Sequence, residues 1–332
     1  MQPGRQNELT AWVAGTLKVP APVLAPASAD ASFRSYFRTS AGGRSYIVMD
    51  APPSQVDCRP FVHVAGLMRE AGLHVPTILG EDLSRGFLLL EDLGLRTYLD
   101  VFKASTTDAD RLFEDAMTSL VAWQKASRPG VLPPYDRAFI HRELMLYPDW
   151  YVTKHLKLEL SAMEMVTLQD AFRLLEDSAL GQPQVYMHRD YMPRNLMLSE
   201  PNPGVLDFQD AVYGPITYDV ASLFKDAFFS WPEDQVKVWR HRYREQALAA
   251  GLPLPALPEF ERACDWMGMQ RHLKIMGIFA RISYRDGKSQ YLSDTPRFLT
   301  YLRHAGGLYK EFTPVLRLMD KLEKRSQEVM EL

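Results

Sequence analysis

The sequence His-Arg-Asp-Tyr-Met-Pro-Arg-Asn at residues 188–195, followed by Asp-Phe-Gln-Asp at residues 207–210, decides the fold of this chain. Asp190 lies five positions before Asn195, and Asp207 lies twelve positions after Asn195. Transfer of a phosphoryl group from a nucleotide needs a carboxylate that accepts the proton of an attacking hydroxyl, together with hard oxygen ligands for Mg²⁺. We therefore expect Asp190 to be the catalytic base and Asn195 and Asp207 to hold the metal. The pattern predicts phosphorylation of an alcohol by ATP.

Short apolar runs surround this stretch. They are Val185–Met187 before it, Leu196–Leu198 after it and Val205–Leu206 ahead of the second carboxylate. Runs of this length, bounded by Pro and Gly, are typical of strands, so the motif is predicted to be a catalytic loop between strands. The alternative is a purely structural polar loop.

Length and composition describe an ordinary globular protein. With 332 residues, two lobes or domains are expected. The apolar fraction is 46%, the charged fraction is 24% and the net charge is −3, so no excess of positive charge favours nucleic acid or an anionic membrane. We expect no nucleic-acid, membrane or obligatory protein partner.

Two cysteines, Cys58 and Cys264, lie far apart in the chain and in no metal-ligand spacing. This argues against a disulfide scaffold and against a zinc site. The first fifteen residues lack the apolar run of a secretory signal, and no run of about 18 apolar residues occurs. The expected location is cytoplasmic.

The order of the predicted elements indicates an α+β chain of two lobes. Residues 1–93 are predicted to form a nucleotide-binding antiparallel-sheet lobe with a leading helix over Glu8–Lys18 and a hairpin about Gly42 and Gly43. Residues 94–332 are predicted to form a larger, mainly helical lobe with the catalytic loop and the substrate site. Its predicted helices include Tyr151–Leu160, Pro232–Ala250 with a Ser230 cap, Glu259–Arg281, and Pro296–Tyr309 behind Asp294.

Two segments of the first lobe are predicted to bind the nucleotide. Asp30–Arg38 contains small residues that allow backbone N–H groups to approach phosphate oxygens, and we assign Ser32, Phe33 and Arg34 to this contact. The second segment is Leu88–Gly94, an apolar strand that leads into a hinge. In this hinge the Glu91 carbonyl and the Leu93 N–H are predicted to bind adenine, with Leu90, Met197 and Leu206 around the base. Taken alone, the first segment is equally consistent with an ordinary hairpin turn.

The predicted third strand, Ser45–Asp50, contains no lysine. Kinases normally use a lysine there to hold phosphates, so arginines have to supply the positive charge. Arg34 and Arg38 are the nearest candidates. Arg194, four positions after the expected base, is predicted to offset the charge that develops on the transferring phosphoryl group.

These motifs together resemble the aminoglycoside phosphotransferase and choline kinase superfamily, a branch of the protein-kinase-like fold. Within it, the chain is similar to the bacterial anomeric kinases of N-acetylmuramate and N-acetylglucosamine. The segments that carry the second resemblance are Ser32–Arg38, Val48–Pro53, Arg142–Leu144 with Trp150, Leu206–Ala211, and Gln270–Lys274 with Gly277–Arg281. The resemblance implies a two-lobe kinase fold, ATP as co-substrate, Mg²⁺ as cofactor, and phosphorylation of a sugar at C1 in cell-wall recycling. It also implies that the missing lysine is a subfamily trait.

The helical lobe supplies candidate groups for such a substrate. Arg271, Lys274 and Arg281 are spaced as a cationic stripe on one helix, and Arg271 is predicted to meet the lactyl carboxylate of a muramic acid. A solvated helix face is the alternative, favoured for Lys274. The remaining candidates are Glu143 and Asp210 as acceptors of sugar hydroxyl groups, and Trp150 or Tyr147 as a platform for a pyranose ring.

Two other functions remain compatible with the sequence. One is a kinase of another small alcohol, of the aminoglycoside or choline type. The other is a pseudokinase that binds nucleotide without turnover, which the missing lysine suggests. The retention of Asp190, Asn195 and Asp207 opposes it, because a scaffold has no physical need for all three.

Overall fold

The computed structural model describes residues 3–27 and 33–330. The chain divides into two compact units, the first made of Met1–Asp100 with Arg194–Asp210 and the second of Val101–Pro193 with Ala211–Leu332. The predicted lobe boundary after residue 93 lies near the first division, but it leaves the segment 194–210 in the helical lobe. The structure groups this segment with the sheet because Leu198 N–H donates to the Arg96 carbonyl at 2.9 Å and Val205 N–H donates to the His74 carbonyl at 2.7 Å.

The first unit is built on a five-stranded antiparallel sheet with the strand order β1-β2-β3-β5-β4. Its strands are β1 (Ala25–Pro26), β2 (Ser35–Ala41), β3 (Arg44–Asp50), β4 (Ile78–Asp82) and β5 (Phe87–Glu91). Gly42 and Gly43 both have positive φ, which a two-residue hairpin turn requires, and they set the register of β2 against β3. The predicted hairpin and the antiparallel sheet are confirmed.

Two helices accompany the sheet, α1 (Pro3–Leu17) and α2 (Arg59–Glu70). Leu9 and Val13 of α1 are fully buried in one apolar cluster with Val48 and Phe87 of the sheet. The leading helix predicted over Glu8–Lys18 is therefore confirmed, although it begins earlier, at Pro3. A second pair of strands, β7 (Leu196–Met197) and β8 (Gly204–Val205), completes the first unit.

The second unit is mainly helical, as predicted. Its helices are α4 (Ala109–Lys125), α5 (Arg137–Leu144), α6 (Ala162–Leu180), α7 (Tyr218–Phe224), α8 (Glu233–Ala249), α9 (Leu257–Asp286), α10 (Thr295–Gly307) and α11 (Thr313–Met330), with three-residue-per-turn segments at Ser289–Asp294 and Lys310–Phe312; α3 (Tyr98–Ala104) runs across the division. Strand β6 (Gln184–Met187) precedes residues 188–195, and strand β9 (Val212–Pro215) follows residues 207–210. The two strands pair with each other. The strands predicted around the motif are confirmed.

One helix prediction is wrong in type and position. The segment predicted as an α-helix over Tyr151–Leu160 is a π-helix over Tyr147–His155. Helix α9 crosses the preceding turn at Gly277, where a Cβ atom would lie 2.3 Å from the Leu146 carbonyl. Helix α9 packs directly against the backbone at the start of the π-helix. We therefore attribute the π-helical geometry to this packing rather than to local propensity.

The two predicted helix caps do not cap. Helix α8 begins after Pro232, and the Ser230 hydroxyl instead accepts from Arg297 at 2.9 Å and from the Tyr301 hydroxyl at 2.8 Å. The Asp294 side chain accepts from Arg297 rather than from a helix N–H group. In both cases a nearby arginine competes successfully for the capping oxygen.

Both cysteines are buried free thiols. No helix within residues 3–27 and 33–330 is long and apolar enough to cross a membrane.

Candidate active site

A buried carboxylate on α7, Asp219, holds the backbone of the loop at residues 188–195. Asp219 accepts the backbone N–H of His188 at 2.7 Å and that of Arg189 at 3.0 Å. Burial raises the pKa of Asp219 to about 7, although the two N–H donors oppose this shift. Sequence reasoning missed Asp219; the only signal was a carboxylate inside an otherwise apolar helix.

Further contacts fix the loop at Asp190 itself. Asp190 N–H points to Nδ1 of His188 at 3.2 Å, and Met192 N–H donates to the Asp190 carbonyl at 3.0 Å. Tyr191 is fully buried, and its hydroxyl donates to the Ala116 carbonyl at 2.9 Å. The Asp190 side chain is only partly buried. The loop therefore presents this carboxylate from a rigid turn.

The two predicted metal ligands lie side by side in the first unit. Asn195 Nδ2 is 3.3 Å from Asp207 Oδ2, and Gln209 Nε2 donates to Asp207 Oδ1 at 2.8 Å. Asp207 has φ +62° and is exposed, whereas Gln209 is buried. The Gln209 amide oxygen has no hydrogen-bond partner among the residues described. No sequence pattern distinguished Gln209 as a functional residue.

This donor set suits Mg²⁺. Mg²⁺ is usually bound by one or two protein oxygens and completes its shell with water and phosphate oxygens. One carboxylate with an adjacent amide, exposed on one side, fits that requirement. Across residues 3–27 and 33–330, no three His, Cys, Asp or Glu side chains converge to form a complete protein cage.

The predicted adenine hinge is stiffened by side chains. Arg38 donates to Asp92 at 2.6 Å and to the Gly94 carbonyl at 2.9 Å. The Glu91 carboxylate accepts from the Thr77 hydroxyl at 2.7 Å, and the Glu91 backbone N–H donates to the Thr77 carbonyl at 2.9 Å. Arg38, one of the two candidates to replace the missing third-strand lysine, is therefore hydrogen-bonded to the hinge.

The apolar residues expected around the base also belong to the first unit. Leu90 and Met197 are buried, and Leu206 is partly buried. Leu93 packs closely on β8, because a Cβ atom on Gly204 would lie 2.8 Å from its Cδ1 atom. The hinge and the β7–β8 pair are therefore in direct contact.

The residues predicted to contact the phosphates differ in their exposure. Ser32 lies outside the described residues. Phe33 is 66% exposed, and Arg34 is partly buried just before β2. Arg194 lies partly buried in a short helical turn over Pro193–Asn195.

A buried polar cluster surrounds Glu143, which was predicted to accept a sugar hydroxyl. One of its oxygens accepts from Arg189 at 2.7 Å and is 3.0 Å from Lys274 Nζ. The other accepts from the Tyr135 hydroxyl at 2.5 Å. Glu143 is 6% exposed, and its contact with a sugar hydroxyl stays a prediction. We name these residues, together with Tyr218 and Gln270, the Glu143 cluster.

The predicted cationic stripe is not a solvated face. Lys274 is buried and donates to the Tyr218 hydroxyl at 2.8 Å, so its assignment to solvent was wrong. Arg271 is 1% exposed; Nη2 is 3.7 Å from the Met192 sulfur, and Nη1 has no hydrogen-bond partner in the described ranges. Arg281 is partly buried. Of the three, Arg271 combines an unsatisfied donor with a position beside the catalytic loop.

Among the other substrate candidates, Tyr147 is buried, whereas Trp150 and Asp210 are accessible. Tyr147 is fully buried and stacks on Tyr151 with ring centroids 5.4 Å apart, so its ring has no free face for a pyranose. The prediction for Tyr147 is therefore wrong. Trp150 is partly exposed and Asp210 is exposed.

Comparison with known proteins identifies relatives of this chain. The chain is 56% identical to the N-acetylmuramate/N-acetylglucosamine kinase of Pseudomonas aeruginosa over 93% of this chain and 91% of that protein. It is 51% identical to the protein of the same name from Pseudomonas putida, over 96% and 97%, and 47% identical to that from Neisseria meningitidis, over 89% of each.

Solved structures show the same fold. An ADP-bound aminoglycoside phosphotransferase superposes with a TM-score of 0.62 at 13% identity, covering 91% of this chain and 98% of its own. The choline kinase LicA of Streptococcus pneumoniae gives a TM-score of 0.62 at 13% identity, covering 91% and 99%. The resemblance identified from the motifs is confirmed. Residues 23–261 match the family model described as the phosphotransferase enzyme family, and the chain belongs to that family.

Proposed function

We propose that this protein is an ATP-dependent kinase that phosphorylates the anomeric C1 hydroxyl of N-acetylmuramate and N-acetylglucosamine, in the cytoplasm, as a step of cell-wall recycling. The observation that carries the choice of substrate is the 47–56% identity to three kinases of that name along about nine-tenths of the chain or more. The cytoplasmic location fits an enzyme that consumes ATP.

Asp190 is the proposed catalytic base. The turn that holds its backbone leaves its carboxylate partly accessible, so an incoming hydroxyl can give up its proton there. Asn195 and Asp207 are the proposed ligands of Mg²⁺, which supplies charge neutralisation at the β- and γ-phosphate oxygens when bound. Arg194 is proposed to add positive charge at the transferring group, because it precedes Asn195 directly in the chain.

The nucleotide is proposed to bind the first unit. The Glu91 carbonyl and the Leu93 N–H would take the adenine edge, and Met197 would pack on the base. Ser32, Phe33 and Arg34 are proposed to cover the phosphates. Arg34, which directly precedes β2 in the proposed phosphate-covering segment, is the proposed replacement for the missing lysine, and Arg38 is held by Asp92 and the Gly94 carbonyl.

The sugar is proposed to contact Trp150, Asp210 and Arg271. Trp150 offers an aromatic face, and Asp210 offers a carboxylate to sugar hydroxyl groups. Arg271 is the proposed partner of the lactyl carboxylate, because its buried Nη1 has an unused hydrogen-bond capacity. A carboxylate would satisfy this donor through a charge-assisted hydrogen bond.

The test is ADP release with N-acetylmuramate, N-acetylglucosamine, N-acetylgalactosamine, choline and an aminoglycoside, followed by product analysis. The expected product is an acid-labile sugar 1-phosphate from the first two substrates. Its formation has to disappear in Asp190→Ala. An acid-stable 6-phosphate, or a preference for choline or the aminoglycoside, would contradict the proposal.

The absence of a lysine in β3 favours one other candidate, a nucleotide-binding pseudokinase. Such a protein would gain thermal stability from ATP with Mg²⁺ but release no ADP with any sugar of the panel. Release of ADP that depends on Asp190 would exclude it.

A further inference from the structure

We infer that Glu143 is a positioning residue: together with Lys274 it holds the Arg189 side chain, and through Arg189 it fixes the catalytic Asp190, without touching the sugar. This inference rests on the proposed function, since it concerns the same catalytic loop. It assigns a role to two buried residues that the reaction scheme above does not use.

The first support is that both oxygens of Glu143 are already occupied. Oε1 meets Arg189 Nη2 at 2.7 Å and Lys274 Nζ at 3.0 Å, and Oε2 meets the Tyr135 hydroxyl at 2.5 Å. Gln270 Nε2 donates to the same tyrosine hydroxyl at 2.9 Å. Gln270 Nε2 also lies 3.5 Å from Oε2, so four donors face a carboxylate that has about four acceptor sites and is 6% exposed, which leaves it little capacity to bind a ligand.

The second support is the balance of charge. Burial alone would raise the pKa of Glu143, but Lys274 and Arg189 outweigh it and lower the pKa to about 2. Glu143 is thus an anion throughout the neutral range, placed against two cations. When one member of such a buried group is removed, the remaining charges are left uncompensated, so the cations have to move or recruit another anion.

The third support is the backbone of Arg189. Its φ is +78°, in the left-handed region that non-glycine residues rarely adopt and that persists only where the surroundings impose it. Its N–H is held by Asp219 at 3.0 Å, its guanidinium is held by Glu143, and it lies 5.0 Å from the centre of the Phe139 ring. Asp190 is the next residue. Fixing Arg189 at both ends therefore fixes the start of the catalytic turn.

The direct alternative is that Glu143 binds a sugar hydroxyl, and steady-state kinetics separate the two. For a positioning residue, Glu143→Gln should lower kcat by about 100-fold, the loss that a displacement of about 1 Å at a reacting group causes, with KM for the sugar changed by less than about threefold. For a sugar ligand, KM would rise while kcat is retained, and this result would overturn the inference.

Glu176→Gln is the matched control. Glu176 is 3% exposed and accepts from Arg137 at 2.9 Å and from His141 at 2.8 Å, both on helix α5, which also carries Glu143. Neither Arg137 nor His141 belongs to the Glu143 cluster. Its variant should lose thermal stability but keep kcat and KM close to those of the wild type. An equal loss of kcat in both variants would mean that any buried carboxylate at α5 has this effect, and would overturn the inference.

A second experiment uses anion rescue, and one of its two readouts, the Tm, does not depend on activity. Glu143→Ala leaves a gap beside Arg189 and Lys274 in which formate can replace the lost carboxylate. Sodium formate should raise the Tm of Glu143→Ala and restore part of its kcat, whereas sodium chloride at the same ionic strength should not. In Glu143→Ala/Lys274→Met, which has lost one of the two cations, the gain in Tm from formate should be smaller.

These outcomes also distinguish the inference from the proposed function. If the wild type phosphorylates no sugar, the proposed function fails, while the formate effect on Tm still reports on the cluster. If the wild type is active but formate changes neither the Tm nor the kcat of Glu143→Ala, the positioning role is overturned. If Glu143→Ala does not fold under any condition, the kcat and KM of Glu143→Gln decide.

Discussion

Asp219 Oδ2 and the backbone N–H of His188 lie 2.7 Å apart, and this contact joins helix α7 to the first residue of the catalytic loop. Both residues are buried, with exposures of 1% and 0%. Because this buried carboxylate accepts two backbone N–H groups, it restrains the loop more strongly than hydrogen bonds within the loop would. The backbone next to Asp190, the proposed catalytic base, is thus positioned by a buried residue of helix α7.

Asp219→Asn should lower kcat by about 10-fold to 100-fold, because the side-chain amide can no longer offer two acceptor oxygens to the loop. KM for ATP should change little. The measurement is steady-state kinetics with folding checked by circular dichroism. Unchanged kcat in a folded variant would contradict the supporting role of Asp219.

The same residue predicts a pH dependence of stability. The pKa of Asp219 is raised to about 7 in the folded protein, whereas in the unfolded chain it has its ordinary value of 3.8. Between these values the folded state holds a proton that the unfolded state has released, so the contribution to the free energy of unfolding falls as pH rises towards about 7. Urea unfolding at pH 5 and pH 7.5 should show this loss in the wild type, after subtraction of the dependence seen in Asp219→Asn. A subtracted difference of zero would refute it.

Gly277→Ala should destabilise the protein by about 1–3 kcal/mol or more, as overpacking in a core does. A Cβ atom there would lie 2.3 Å from the Leu146 carbonyl carbon and oxygen, which belong to backbone and cannot rotate away. Gly268→Ala, on the same helix and with its nearest neighbour 3.9 Å away, is the control and should be neutral or slightly stabilising. Thermal unfolding of both variants tests the contrast. Similar Tm values for the two would contradict it.

Gln209→Leu should weaken metal binding by about 10-fold to 100-fold, as loss of a group that orients a metal ligand does. Its amide donates to Asp207 Oδ1 at 2.8 Å and so orients the proposed ligand. Mn²⁺ binding, followed by electron paramagnetic resonance in the presence of ADP, measures this directly. Gln184→Leu, in which the lost amide contacts only the Ala179 and Gln182 carbonyls, should bind Mn²⁺ normally. Equal affinities in the two variants would rule out an orienting role for Gln209.

Arg38→Ala should raise KM for ATP by about tenfold and leave kcat nearly unchanged, because a group that shapes the binding hinge contributes equally to the ground and transition states. The guanidinium holds Asp92 and the Gly94 carbonyl. Arg44→Ala, at an exposed position of β3, is the control. If Arg38 instead replaced the missing lysine at the phosphates, kcat would fall sharply.

Arg271→Ala should reduce kcat/KM for N-acetylmuramate by about 10-fold to 100-fold, the cost of about 1.5–3 kcal/mol for a hydrogen bond to a charged group. N-acetylglucosamine, which lacks the lactyl carboxylate, should lose much less and serves as the internal control. Arg262→Ala, on the exposed side of α9, controls for a general effect on the helix. Equal losses for the two sugars would remove the carboxylate contact.

Much of the fold could be predicted because its signals are local. The turn at Gly42 and Gly43, the apolar spacing in α1 and α2, and the strands that flank residues 188–195 all follow from neighbouring residues. The candidate base and metal ligands were recognisable for the same reason, since their spacing in one short segment is what phosphoryl transfer needs.

Local patterns in the sequence were sufficient to predict the two-lobe kinase fold and to recognise the family of the chain. The packing of distant segments was needed to show which polar residues are buried and which are exposed. Glu143 and Arg189 are 46 residues apart, and Gln270 and Tyr135 are 135 apart, so no local pattern could reveal that they share one cluster. The same holds for Lys274 and Tyr147, because burial depends on how distant helices pack, and a charged or aromatic side chain reads identically in sequence whether it faces solvent or the core.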